Sequence, residues 1–384
     1  MTSTKPRHKK KSKPAKHKPA AHPEKSSPFR RAFADHRALL LVGLLYVLTI
    51  IAESIYAHVP SDQFDRIFYV VPVIILKCFV LLLAMGVGAF LRGMWLTEAR
   101  EKTFLKRLAH AWKHADGMAT RYMNADVFAY GCIGLLVMVA NAFYFIQKSL
   151  AHVLHPYAWD DVFIGLERVL HFGHLPHEFV IALTERLHLG RVIDGCYWTW
   201  FAVMYLGLGY CLFWDKNLKR RLRFLWCFLL SWVLLGSAFG LYFSAAGPLF
   251  YHNFFPYRPD PYADFVRYIA DRGPEIFPIA YYSGQRLLEW TTNGQMVNLN
   301  AVLAFPSMHI AVAWAVTLYG FSVRRWAGIA GAVFTFVIYL ATVLFGYHYA
   351  IDSYFSLIAV TLMWWAAGRL LDRKYPEDVT LKRV

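Results

Sequence analysis

Long apolar runs alternate with shorter polar segments along most of the chain, and their lengths predict the architecture. Eight runs are each close to the ~20 residues that an α-helix needs to cross the hydrocarbon core of a bilayer. They cover residues 38–59, 67–91, 126–147, 192–213, 223–245, 303–321, 326–346 and 351–370. The pattern therefore predicts an all-α, polytopic integral membrane protein with about eight transmembrane helices.

The polar segments between these runs differ in charge, and the difference predicts how the chain crosses the membrane. Four of them are rich in Lys and Arg, namely 92–125, 214–222, 322–325 and the tail after 371. Three others hold more His, Asp, Tyr and Pro and are more balanced in charge, namely 60–66, 148–191 and 246–302. Because Lys and Arg accumulate in cytoplasmic loops, both termini are predicted to be cytoplasmic. The two long aromatic segments then lie at the outer face, where we expect interfacial helices.

The composition supports the membrane assignment and draws attention to a basic head. The chain of 384 residues is 57% hydrophobic and has a formal net charge of +16. Residues 1–37 hold twelve Lys and Arg against Glu24 and Asp35, which gives 12 − 2 = +10 for this head. It contains no apolar run, so it is predicted to be a disordered cytoplasmic tail. A nucleic-acid-binding arm is the alternative, but attraction to anionic lipid headgroups explains the charge more simply, so no nucleic-acid partner is expected.

The cysteines suggest neither disulfides nor a thiolate metal site. All five fall inside apolar runs and none has CxxC spacing: Cys78, Cys132, Cys196, Cys211 and Cys227. Together with the basic tail, this usage is compatible with a bacterial inner membrane, which is the predicted location.

The sixth apolar run opens with "FPSMH", which carries candidate chemistry at the mouth of a helix. Pro306 suits the first turn, Ser307 can cap the helix, and His309 lies just inside it. Free N–H groups and a hydroxyl at a helix start favour an anion, and a His there can give or take a proton.

A second motif, "HYAID", lies at the junction of the last two runs. His348 and Asp352 are four residues apart, so on a helix they share a face. The carboxylate can then hold one ring nitrogen protonated while the other remains nucleophilic. The predicted topology brings His309, His348 and Asp352 to the same outer membrane boundary. A zinc site at His348 and Asp352 is a weaker alternative, because there is no HExxH motif and no carboxylate close to His309 in sequence; neither a metal nor a cofactor is predicted.

At these residues the sequence resembles the type 2 phosphatidic acid phosphatase superfamily, and in particular its inositol phosphorylceramide synthase-like branch. The family's P-S-x-H and H-x-x-x-D motifs read here as residues 306–309 and 348–352, and the resemblance extends over about 190–370. It implies a six-helix phosphatase-like core and a two-step displacement without metal. In that mechanism His348 attacks phosphorus to give a phosphohistidine, Asp352 orients it, and His309 protonates the leaving oxygen and then activates the acceptor. Ser307 and nearby N–H groups would hold phosphate oxygens.

Two cations that the resemblance implies are missing. Arg258-Pro259 matches the end of the family's first motif, but Tyr251 occupies the position of its Lys. Thr342 occupies the position, six residues before His348, where many members have Arg. Because the phosphoryl group still needs charge stabilisation, Arg258 is the first candidate to replace them, with Arg267, Arg272 and Arg286 behind it. The segment around Tyr251, "SAAGPLFY", resembles what the transferase branch carries there and is expected to form the mouth of the site.

The sequence thus predicts a lipid phosphatase or phosphotransferase that acts on a lipid phosphate or phospholipid at the periplasmic side of the membrane. Hydrolysis and headgroup transfer stay open, since water or an alcohol can take the same phosphohistidine. A non-catalytic protein, such as a proton-coupled transporter, is the alternative. The predicted divisions are a tail at 1–37, two extra transmembrane helices with a basic loop at 38–125, a six-helix catalytic domain at 126–371 and a cytoplasmic tail at 372–384. The sequence does not define an oligomeric state.

Overall fold

The computed structural model describes residues 27–59, 103–106, 108–109, 111–113, 125–292 and 302–375. Helices account for all the regular elements in these ranges, which confirms the predicted all-α class. They are α1 Pro28–Tyr56, α2 Ala125–Leu154, α3 Asp160–Leu170, α4 Pro176–Leu187, α5 Gly190–Phe213, α6 Leu218–Tyr242, α7 Ala263–Ile276, α8 Pro278–Thr292, α9 Met308–Val323, α10 Arg325–Leu344 and α11 Ala350–Lys374.

Six of these helices are long and apolar enough to cross a membrane, namely α1, α2, α5, α6, α10 and α11. A seventh, α9, is apolar but shorter. These seven helices correspond to seven of the eight predicted runs. The eighth run, at 67–91, lies outside the described residues, and so does the part of the basic head before residue 27. The protein is therefore an integral membrane protein. Its first helix begins at Pro28, inside the segment predicted as tail, because the Ser27 hydroxyl accepts the N–H of Arg30 at 3.4 Å and caps the helix.

Small residues allow α9 and α10 to pack closely as an antiparallel pair. A Cβ at Gly331 would lie 2.9 Å from Cα of Thr317, and one at Gly320 would lie 3.0 Å from the backbone of Ala327. The hydroxyls of Thr317 and Thr335 lie 3.0 Å apart across this contact. Small residues that bring two backbones together are a common basis of helix association in membranes, and here they fix the helix that carries His309 against the helix that leads to His348.

The basic segments come together at one end of the helix bundle. Asp215 is buried there and accepts two hydrogen bonds from the Arg220 guanidinium, at 2.6 and 2.7 Å, and one from the Tyr319 hydroxyl at 2.8 Å. Lys219 pairs with Asp372 at 2.7 Å. This end joins the start of α6 to the ends of α9 and α11.

The opposite end is covered by the short amphipathic helices α3, α4, α7 and α8, where interfacial helices were expected. Backbone hydrogen bonds bind the segments at this end to each other: Ala158 N–H donates to Ser244 O at 3.1 Å, and Ala304 N–H to Ala245 O at 2.9 Å. The Asp194 carboxylate accepts N–H bonds at 2.9 and 3.0 Å from the first turn of α8. The starts of α9 and α11 lie at this end.

Candidate active site

Three chain segments meet above the starts of α9 and α11: residues 244–249, 302–306 and 345–349. Leu249 N–H donates to Gly346 O at 2.9 Å, which joins the first to the third. Gly247 adopts a φ of +91°, and a Cβ there would lie 3.0 Å from the Ala304 side chain and 3.2 Å from the carbonyl oxygen of Tyr347. Only glycine permits this backbone conformation without strain in so narrow a space, so the first segment can lie directly against the other two.

His348 is held by a backbone carbonyl from the segment that leads into α9. Its Nδ1 lies 2.5 Å from Ala304 O, and its side chain is 8% exposed. Because a carbonyl oxygen can only accept, Nδ1 carries the proton and Nε2 keeps its lone pair. Burial lowers the pKa of His348 to about 3, against the Ala304 bond, which raises it, and the Lys148 ammonium lowers it further. The ring is thus neutral at physiological pH, with Nε2 available as a nucleophile.

Asp352 lies in the first turn of α11 and is fully buried. Its Oδ2 accepts the N–H of Tyr349 at 2.9 Å and so caps the helix. The same oxygen lies 3.4 Å from Nδ1 of His348, beyond the shorter contact with Ala304. The predicted pair of His348 and Asp352 therefore exists as a 3.4 Å approach, while the direct hydrogen bond to the ring comes from the main chain.

His309 lies in the first turn of α9 and is enclosed by two aromatic residues of α5. Its ring stacks on Tyr197 with centroids 4.6 Å apart, and its Nδ1 is 3.4 Å from the Tyr197 hydroxyl. The Trp200 indole ring lies 4.7 Å away and its N–H donates to the backbone oxygen of His309 at 2.8 Å. These contacts fix both the backbone and the ring plane of His309.

The two histidine rings face each other across the site. Their centroids are 5.9 Å apart and their planes are inclined by 67°. The structure therefore brings together the two motifs that the sequence separates by 39 positions, 348 − 309. Ser307 lies beside them, fully buried, with its hydroxyl accepting the N–H of Ile310 at 3.5 Å as the cap of α9. This places a serine hydroxyl, a helix start and two imidazoles in one place.

Asp160 of α3 supports the site and was not anticipated from the sequence. Its buried carboxylate accepts hydrogen bonds from Ala246 N at 3.0 Å, Gly247 N at 2.9 Å and the Tyr349 hydroxyl at 2.7 Å. These bonds join the segment at 244–249 to the residue that follows His348. Burial raises the pKa of Asp160, while the hydrogen bonds from Gly247, Tyr349 and Ala246 lower it.

Glu167, two turns further along α3, holds the start of α11. Its carboxylate accepts the N–H of Ala350 and the Tyr262 hydroxyl, the latter at 3.3 Å. Burial raises the pKa of Glu167 to about 8, opposed by the hydrogen bond from Ala350 and reinforced by the nearby Asp352 carboxylate. Asp160 and Glu167 thus fix the loop that carries His348 from both sides.

The sequence did contain a signal for these two acids. Asp160, Phe163, Ile164 and Glu167 occupy positions i, i+3, i+4 and i+7 of α3, and all four are buried. Two carboxylates on the apolar stripe of an amphipathic helix must find buried donors. Here those donors are the backbone N–H groups of the active-site loops.

Tyr251 and Arg258, the sequence-predicted substrate contacts, are both bound to Asp161. The Tyr251 hydroxyl donates to this carboxylate at 2.7 Å and Arg258 Nη1 at 2.6 Å. The Arg258 guanidinium also lies over the Phe255 ring at 4.4 Å, and its side chain is 48% exposed. The described contacts of Arg258 include neither His309 nor His348. Thr342, at the other position where a cation was expected, donates its hydroxyl to Tyr339 O at 2.8 Å.

Comparison with known families gives one result. A family model described as the PAP2 superfamily matches residues 162–366, which is more than half of the chain. This segment begins in α3 and includes Ser307, His309, His348 and Asp352. No curated protein and no solved structure gives a significant match.

Proposed function

The chain belongs to the PAP2 superfamily, which supports phosphatase-type activity on phosphate esters, and we propose that it is a membrane enzyme that cleaves or transfers the phosphoryl group or phospho-headgroup of a lipid. The observation that carries the proposal is the facing pair of imidazoles, His309 and His348, with ring centroids 5.9 Å apart. The Ala304 carbonyl fixes Nδ1–H of His348, so that Nε2 points its lone pair away from this bond.

In the first half of the proposed reaction, Nε2 of His348 attacks phosphorus while the bond from phosphorus to the leaving oxygen breaks. A phosphohistidine forms, and the leaving oxygen takes a proton from His309. The imidazole of His348 gains positive charge in this step, and the Asp352 carboxylate at 3.4 Å from Nδ1 stabilises it.

In the second half, His309 takes a proton from water or from an alcohol, whose oxygen attacks phosphorus. The bond from phosphorus to Nε2 breaks, and His348 returns to its neutral form. Ser307 and the N–H groups at the start of α9 are proposed to hold the non-bridging oxygens, because a helix start favours an anion. Tyr251 and Arg258 are proposed to line the approach to the site, where Arg258 attracts anionic substrates.

The acceptor decides between hydrolysis and transfer. Water yields a phosphatase, and a lipid or other alcohol yields a headgroup transferase. The residues "FPSMH", "HYAID" and "SAAGPLFY" resemble the inositol phosphorylceramide synthase-like branch and support transfer. An assay distinguishes the two reactions: a hydrolase releases inorganic phosphate whether or not an alcohol is added, whereas a transferase needs the alcohol.

We propose that the site opens at the extracytoplasmic face and that both termini are cytoplasmic. The support is the charge asymmetry: Lys219, Arg220 and Arg325 lie at the end of the bundle opposite to the two histidines. Cysteine labelling at residue 275 tests this orientation, because access to position 275 from the cytoplasm would contradict it.

The mechanism is tested by trapping the covalent intermediate on the purified full-length protein. A ³²P-labelled lipid phosphate is added without metal, and the protein is then denatured in alkali. The expected label is stable to alkali and labile to acid, and it is absent from His348→Ala. In His309→Ala it should form and decay more slowly, because this variant lacks both the proton donor for the leaving oxygen and the group that activates the acceptor. His174→Ala is the control, because this histidine is 59% exposed and forms its ion pair with Glu178 of α4. Full turnover by His348→Ala would exclude the mechanism.

A further inference from the structure

The phosphoryl group in the proposed reaction needs a positive charge that the expected positions do not supply. A five-coordinate phosphoryl group concentrates negative charge on its equatorial oxygens. Tyr251 and Thr342 are uncharged, and Arg258 already neutralises Asp161. Three acidic side chains, Asp160, Glu167 and Asp352, lie buried around the loop of His348, and none of them can supply a positive charge. The local environment is thus unfavourable to an anion unless another cation is present.

Helix α2 carries a lysine, Lys148, on the face that points toward the site of His309 and His348. Tyr144 of α2 meets Met308, the neighbour of His309, at Gly236: a Cβ there would lie 2.8 Å from the Tyr144 ring and 3.2 Å from Sδ of Met308. Lys148 follows Tyr144 by four residues and therefore lies on the same face of α2, one turn nearer the end where the site lies. Just beyond α2, the Tyr157 hydroxyl donates to Val302 O at 2.6 Å, which joins this chain segment to the one that enters α9.

The charge of Lys148 is directed at the site and is not neutralised elsewhere. Its ammonium interacts electrostatically with both His309 and His348. In the part of the chain that the structure describes, no carboxylate lies within 4.0 Å of it and no hydrogen bond holds it. The residue as a whole is partly buried. No carboxylate of the described residues offsets this ammonium, so an anion that enters the site would serve as its counter-ion.

We propose that Lys148 is the substrate-binding cation of this site, with its ammonium donating hydrogen bonds to the non-bridging phosphate oxygens opposite the start of α9. That the bound anion belongs to a lipid substrate rests on the proposed function. That Lys148 binds an anion does not. Lys148 would do here, from α2, what the resemblance assigns to a lysine near residue 251. The sequence-based prediction passed over it because that run was ended at residue 147, whereas α2 continues to Leu154.

The effect of a Lys148 substitution on stability distinguishes a substrate-binding role from a structural one. A partly buried charge without a partner destabilises the folded protein, because it loses hydration and gains no ion pair. Lys148→Met has a similar length and no charge, so it should leave the midpoint of thermal unfolding unchanged or raise it. A residue needed for folding would show the opposite change. Activity gained at the expense of stability is typical of functional sites.

The test uses the full-length protein in detergent and two readouts. The first is turnover of a lipid phosphate, for which Lys148→Met should lower kcat/KM by about 100-fold, as expected for loss of one charge-stabilising donor. The second is the increase in the unfolding midpoint produced by orthovanadate, a five-coordinate phosphate analogue. Lys148→Met should need about tenfold more vanadate for the same increase. Lys148→Arg should bind vanadate within about threefold of the wild type, since it keeps the charge.

Lys216→Met is the control, because this exposed lysine lies at the opposite end of the bundle. If Lys148→Met does not purify as folded protein, Lys148→Gln replaces it. Vanadate binding by either neutral variant equal to that of the wild type would overturn the assignment. If the wild type binds vanadate through Lys148 yet forms no phosphohistidine and turns over no lipid, the anion site stands and the proposed reaction falls. The two failures are therefore distinguishable.

Discussion

Nδ1 of His348 lies 2.5 Å from the backbone carbonyl oxygen of Ala304, the residue that precedes the "FPSMH" motif. The second motif, which contains His348, is thus oriented by the main chain next to the first. A substitution of the Ala304 side chain leaves this carbonyl in place. The tautomer of His348 therefore does not depend on Asp352 alone.

This relationship predicts two separable effects at Asp352. In Asp352→Asn the side chain still accepts the Tyr349 N–H and caps α11, while the charge near His348 is lost. We expect a fall in kcat of about 100-fold, smaller than the ~10⁴-fold that follows when a triad carboxylate alone fixes the tautomer, and an unfolding midpoint close to that of the wild type. Asp352→Ala also loses the cap, which lowers stability by about 1 kcal/mol. Turnover and thermal unfolding of both variants provide the measurement; equal loss of activity and stability in the two would contradict separate roles.

Asp160→Ala should destabilise the protein strongly. It leaves two buried backbone N–H groups and the Tyr349 hydroxyl without their acceptor, and each such group costs about 1–3 kcal/mol. We expect a large decrease in the unfolding midpoint together with loss of turnover. Asp161→Ala is the matched control for stability. Its side chain is 56% exposed and its pair with Arg258 is at the surface, so its removal should cost about 1 kcal/mol, mainly from the hydrogen bond that Tyr251 donates to it. Equal destabilisation by the two substitutions would show that Asp160 does not hold the loops.

Glu167 should make stability depend on pH. Its pKa is raised from 4.5 to about 8 in the folded protein. The folded state therefore keeps a proton that the unfolded chain loses, and stability falls as pH rises from about 4.5 to about 8. The slope for one such group is about 1.4 kcal/mol per pH unit. Glu167→Gln keeps an oxygen for the Ala350 N–H and cannot ionise, so its unfolding midpoint should fall less over this range. Parallel curves for Glu167→Gln and the wild type would contradict the prediction.

Gly247→Ala should lower both stability and activity. The residue has a φ of +91° and a ψ of 164°, an extended region that costs a non-glycine residue about 1–3 kcal/mol, and the new Cβ would press on Ala304 and on the carbonyl of Tyr347. Because Ala304 holds His348, displacement there moves the nucleophile. Gly165→Ala in α3 is the control: no atom lies within 4 Å of its added Cβ, and alanine favours a helix by about 1 kcal/mol over glycine. Loss of activity in both variants would contradict the local explanation.

Much of the membrane architecture could be predicted because it depends on one-dimensional patterns. A span needs only sufficient length and apolar composition, so seven predicted runs have corresponding helices. Helix ends were predicted less well. They depend on local caps such as Ser27 at α1, and on how far a helix such as α2 continues past its apolar stretch to Leu154.

The motif residues could be located, but their partners could not. His348 and Asp352 form a pattern within one helical turn, which sequence spacing displays directly. The contacts of His348 with Ala304, and of the following residue with Asp160, join positions far apart in the chain and depend on how three loops pack. Carboxylates with buried backbone donors look in sequence like ordinary residues of an interfacial helix.

The link between Ala304 and His348 also has a consequence for biosynthesis. A nascent chain inserts its helices in order, and α9 with His309 enters the membrane before α10 and α11 are made. Until residue 348 follows, the Ala304 carbonyl has no imidazole to hold and the acid–base histidine has no nucleophile opposite. The proposed phosphoryl chemistry therefore becomes possible only after residue 348 has been made. A chain shortened by a premature stop before His348 would lie in the membrane without the proposed nucleophile.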